Sequence, residues 1–151
     1  MGYIDLHCDT LHRLYYDAAE TENLTSNNGH LDIDKMRGYD AQFFACHVDS
    51  KQPARRASHF EDVLAMTDIL RQSADERLAF TCSYDELLAN REAGRISGLL
   101  TVEEGGVLEE ELPRLDTLYK NGVRLITLTW NYDNCIGGAN GSDEGLTCFG
   151  Y

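Results

Sequence analysis

Positive charge is scarce in this chain: 13 Lys and Arg stand against 26 Asp and Glu, for a formal net charge of −13. Such a surface repels phosphates, so a nucleic-acid partner is excluded. The acidity reads either as an ordinary solvated surface or as a field that gathers metal cations. No run of about 18 apolar residues occurs, so no segment is expected to span a membrane. The opening stretch from Met1 to His7 lacks both a basic region and a long apolar one, so no signal peptide is expected. Leu6 also stands where a myristoylation motif needs Ser or Thr. Five cysteines lie at wide, irregular spacings with no Cys-x-x-Cys, which removes zinc ribbons and thioredoxin motifs. Reduced thiols in a cytoplasmic protein are the resulting expectation. With only two prolines, no Pro-rich linker and no repeat, the 151 residues at 42% hydrophobic content read as one core.

What is present is an alternation. Short apolar runs at residues 2–6, 41–48, 78–82, 96–102 and 123–129 read as strands. Between them, residues 54–77 carry Phe60, Val63, Leu64, Ile69 and Leu70 at helical spacing. Ser83 and Glu86 form a capping-box pattern for a second helix, which Gly94 ends. Leu108, Leu112, Leu115, Leu118 and Tyr119 mark a third, stopping at Asn121-Gly122. Residues 131–145 are polar, Gly-rich and too irregular for an element. Strands alternating with helices imply an α/β fold with a parallel sheet buried on both faces.

Charged and polar residues collect at the strand ends, where α/β folds assemble their sites. His7 and Asp9 follow the first strand as His-x-Asp, and period-2 alternation aims both to one side, with Cys8 pointing away. An imidazole and a carboxylate are good zinc ligands. The competing assignment is a packed His7 with Asp9 capping a helix that begins near Thr10. Glu103 and Glu104 end the 96–102 strand, where one carboxylate could bridge metals or act as a general base. Equally, both could be acidic residues favouring the next helix N-terminus.

Taken together, DLHCDT, GHLDIDKMRGYD followed by AQFFACHV, LLTVEEGGVLEEELPRLDTLYKNGVRLITLTWNYDN, and GLTCFGY closely resemble the membrane (renal) dipeptidase family of the amidohydrolase superfamily. The resemblance runs from about Tyr3 to Tyr151. It implies a TIM barrel that hydrolyses dipeptides with water activated between two zinc ions. It assigns metal ligation to His7 and Asp9, and a bridging, catalytic role to a strand-end glutamate. Ungapped, that glutamate is Glu103, with Leu108 at the family's apolar position; aligning on Glu-Gly-Gly instead selects Glu104 across a one-residue gap. The ungapped assignment is preferred. Animal members carry a substrate-contacting histidine after the TLT strand; here Trp130 stands in its place and either lines the pocket or packs. The family's other zinc-ligand histidines lie on later strands, beyond residue 151.

The expected fold is therefore the first half of a (β/α)₈ barrel, about four of its eight parallel strands, with residues 1–151 forming part of a single metal-dependent hydrolase domain. Dipeptides are the expected substrates and Zn²⁺ the expected cofactor. The isolated chain is expected to be inactive and to self-associate or pair with a C-terminal half. One alternative is a non-catalytic, truncated half-barrel. Another is a different amidohydrolase, such as a deacetylase or dihydroorotase-like enzyme, although those show His-x-His after the first strand. His12, His30, His47 and His59 match no ligand position, although His47, at the end of the 41–48 strand, could approach the site.

Overall fold

Side-chain hydrogen bonds set where several of the strands and helices begin. The computed structural model, which describes residues 2–151, orders them as β1 (Tyr3–Asp5), α1 (Thr10–Tyr16), β2 (Tyr39–His47), α2 (His59–Gln72), β3 (Leu78–Phe80), α3 (Tyr84–Glu92), β4 (Ile96–Glu103), α4 (Pro113–Lys120) and β5 (Val123–Thr127). A 3₁₀ turn, Gly105–Leu108, separates β4 from α4. Residues 131–145 form neither helix nor strand.

The helices are shorter than their apolar spacing predicts, for identifiable reasons. α2 starts only at His59 because the N–H groups of Arg55 and Arg56 are held by the Asp62 carboxylate, leaving Ser58 to cap the helix. It stops before Ser73, and Asp75 then accepts hydrogen bonds from the backbone of Arg77 and Leu78 to launch β3. α4 starts at Pro113 rather than Leu108, because Glu109 and Glu110 adopt positive φ and break the helical path. Ser83 does cap α3, but Glu86 reaches the N–H of Cys82, one residue before the cap. Gly94, at φ +70°, closes α3 in a Schellman arrangement: its N–H bonds to the Arg91 carbonyl and that of Arg95 to the Asn90 carbonyl.

Every strand pairing is parallel, and β4 is the hub. β2 runs along one edge of it, from Ala41 beside Ser97 to His47 beside Glu103. The other edge is shared end to end, with β3 against Ile96 to Gly98 and β5 against Leu100 to Glu103. β1 lies on the far edge of β2. Setting the short β3 aside, β1, β2, β4 and β5 follow one another as consecutive strands of a (β/α)₈ barrel do.

Alternation sorts the strand side chains. Phe44 and Cys46 of β2, with Leu100 and Val102 of β4, join Val63, Met66 and Leu70 of α2 in the core. The intervening residues, ending in His47 and Glu103, face the other side of the sheet. Neighbouring strands therefore deliver those two side chains to the same place.

Candidate metal centre

After β1 the chain does not leave the sheet at once. Asp5 accepts a hydrogen bond from the His7 backbone N–H at 3.1 Å, and the Cys8 N–H donates to the Phe43 carbonyl. The Cys8 carbonyl in turn accepts from Ala45, so residue 8 remains in the ladder with β2. Its side chain packs against the core, where burial pushes the thiol up to about 11. His7 and Asp9, one residue to either side, project oppositely.

There they meet the end of β4. His7 Nε2 lies 3.3 Å from Asp9 Oδ1 and 3.4 Å from Glu103 Oε2. One donor atom from each of the three residues falls within 4.8 Å of the others. Asp9 occupies the N-cap position of α1, yet its side chain makes no capping hydrogen bond. The His7 side chain is half exposed rather than packed away.

Glu104 plays a different part. It is buried at 1% exposure, at φ +102°, and its Oε1 accepts from the Gly106 N–H at 2.7 Å and from the Asn134 amide. Asn134 also donates to the Leu128 carbonyl, so Glu104 ties the end of β4 to the 131–145 segment. Of the two adjacent glutamates, Glu103 is the one beside His7 and Asp9.

A wall of rings flanks the cluster. His47, the register partner of Glu103, brings Nδ1 to 3.8 Å from Glu103 Oε2. Its ring lies between His12, at 5.0 Å, and the edge of Trp130, at 4.4 Å. Trp130 also approaches Tyr132, whose face receives the Lys51 ammonium. On the other side, His7, Asp9 and His30 line an open cavity of about 430 Å³. His59 lies elsewhere, bonded to the Gln52 carbonyl. Spacing alone did not reveal Asn134 or the His12–His47 contact; the one available signal was His47 at the end of the 41–48 apolar run.

One imidazole nitrogen and two carboxylate oxygens, grouped this closely without a lysine or arginine among them, form a donor set suited to a first-row divalent metal. Parallel β/α units with such donors at the carboxyl ends of the strands are the layout of a barrel metallohydrolase. The chain belongs to the membrane dipeptidase family, peptidase family M19, whose family model matches residues 1–151. It is 33% identical to an uncharacterised dipeptidase of Schizosaccharomyces pombe, over 87% of this chain and 36% of that protein. Among solved structures, the family M19 metallopeptidase dipeptidase AC superposes with a TM-score of 0.81 at 24% identity, covering 99% of this chain and 51% of that one. A metallopeptidase from Rhodobacter sphaeroides, liganded with a phosphinate mimic of the dipeptide L-Ala-D-Ala, gives 0.77 at 22% identity, covering 99% and 54%. The chain thus spans about half the length of these two structures and about a third of the yeast relative. The fold is α/β, equivalent to about half of their barrel.

Proposed function

We propose that this chain supplies the first three ligands, His7, Asp9 and Glu103, of a dinuclear zinc centre that hydrolyses dipeptides. The observation that carries the reading is their convergence within 4.8 Å at the carboxyl ends of β1 and β4, two parallel strands with β2 between them. The dipeptide assignment is supported by family membership and by the dipeptide mimic in the Rhodobacter relative.

The roles rest on the family resemblance, and the grouping of the three side chains supports them. His7 offers Nε2 between two carboxylates, so the cluster presents more negative than positive charge to a cation. Glu103, less exposed than Asp9, is the carboxylate that the family resemblance assigns to bridging; it would hold the ions there or, with an oxygen free, take a proton from the attacking water. Zinc held there would supply Lewis acidity, easing deprotonation of water and polarising the scissile carbonyl. Trp130, packed against His47, is assigned a substrate contact because it stands at the family's substrate-contacting position. Three ligands leave a two-metal centre incomplete, so the 151-residue chain by itself is expected to bind zinc without turning over dipeptides.

Calorimetric titration of zinc into the purified chain tests this. Wild type and Glu104→Gln should bind one ion comparably, while His7→Ala and Glu103→Gln should each weaken binding at least about tenfold. Equal affinity in all four proteins would remove the metal assignment. Robust dipeptide hydrolysis by the chain alone, abolished by His7→Ala, would overturn the expected inactivity.

A further inference from the structure

Resting on the metal-centre reading above, we propose that His47 is a positioning residue for Glu103: its Nδ1–H holds the carboxylate in the orientation from which it binds metal. The two residues are directly paired across β2 and β4 and project from the same face of the sheet. His47 Nδ1 is 3.8 Å from Glu103 Oε2, and among the described residues this buried nitrogen has no hydrogen-bond partner. Leaving a buried polar atom unpaired costs about 1–3 kcal/mol, so a contact that satisfies it is favoured.

The ring has little freedom to look elsewhere. Only 12% of the side chain is exposed, and it is packed between His12 and Trp130. His12 Nδ1–H donates to the His47 carbonyl at 2.9 Å, which fixes the backbone as well. The separation of 3.8 Å exceeds a hydrogen bond, but catalytic contacts are often long before the site is loaded. A small rotation of the Glu103 side chain closes it. His7 approaches the same oxygen from another side, at 3.4 Å. Once His7 turns its lone pair to a metal, His47 is the remaining donor for that oxygen. Carboxylate ligands held by such outer hydrogen bonds bind metal roughly 10–100-fold more tightly than those without them.

The test compares zinc affinity and the visible spectrum of the cobalt(II) form in wild type, His47→Asn and His47→Phe. Asparagine places an N–H near the position of Nδ1; phenylalanine keeps the packing and removes the donor. His47→Phe should lose roughly 10–100-fold in affinity and shift the cobalt bands, while His47→Asn should recover most of the affinity. Tight zinc binding by wild type with an unchanged His47→Phe protein would overturn the positioning role and leave the metal centre standing. Equal losses in both variants would reduce His47 to packing and overturn it too. Absence of zinc binding by wild type would remove both readings. Should His47→Phe fail to fold, ring ¹⁵N shifts of zinc-loaded wild type decide: a proton on Nδ1 supports the proposal, and a bare Nδ1 overturns it.

Discussion

Asp62 shows how much one buried residue can organise. Fully buried on α2, it accepts hydrogen bonds from the hydroxyls of Tyr15 and Tyr16 and from the N–H groups of Arg55 and Arg56. It thereby joins α1, the loop before α2 and α2 itself. Burial alone would raise its pKa, but these donors together, the Tyr15 hydroxyl foremost, hold it below the usual carboxylate range. The ionised form is thus favoured in the folded chain. Its contribution to stability is complete above the ordinary carboxylate pKa and is lost as pH falls through the lowered folded value. Asp62→Asn turns an amide N–H toward groups that are themselves donors. It should cost about 2–3 kcal/mol at neutral pH, and the gap from wild type should narrow in acid. Urea unfolding at neutral and acidic pH checks this; a gap that widens in acid would contradict it. In the sequence, Asp62 is indistinguishable from any acidic residue in the first turn of a helix. Its partners lie in segments whose approach no local pattern encodes.

At the scale of elements, two glycines of the same conformational class should differ sharply. Gly94 and Gly122 both have positive φ, at +70° and +94°, where an L side chain is disfavoured by roughly 1–2 kcal/mol. Nothing lies within 4 Å of a Cβ at Gly94, whereas one at Gly122 would overlap the ring of Phe80 and press on Cys82 Sγ. Gly94→Ala should therefore cost about 1 kcal/mol and Gly122→Ala roughly 2–5 kcal/mol, the difference coming from overpacking. Chemical denaturation of the two variants decides it, and equal costs would rule out the steric component. Both glycines were legible as helix stops, and the strands were legible because buried parallel strands read as continuous apolar runs. The start of α4 was not legible, because nothing in a Glu-rich stretch announces positive φ at Glu109 and Glu110. The sharing of one edge of β4 by β3 and β5 was equally hidden, since no local pattern says which edge of a strand its neighbours in the chain will take. The same holds for the site. His-x-Asp and the strand-end glutamates could be read directly, but the pairing that sets His47 beside Glu103 required the register.

The molecule as a whole exposes more surface than a protein of its size normally does. Its accessible area is 8620 Å², whereas a folded monomer of 17.0 kDa is expected to expose about 7,700 Å². The excess is close to the roughly 800 Å² that one partner buries in a standard interface. Its location is consistent with the topology. Among the described residues, β1 and β5 each pair along one edge only, and the exposed large apolar residues include Tyr3, Ile4 and Leu6 on one side and Leu125 and Leu128 on the other. Unpaired strand edges with apolar side chains recruit further strands. In the opposite direction acts the net charge of −13, which repels a second copy at low ionic strength. We therefore expect the 151-residue chain to self-associate, and to do so more strongly as salt screens the charge. Sedimentation velocity at low micromolar concentration should show species at or above twice the monomer mass. Ile4→Lys combined with Leu125→Lys, which places a cation on each open edge, should move the population back toward monomer. A compact wild-type monomer that unfolds cooperatively and ignores ionic strength would mean that these edges are covered by the chain itself.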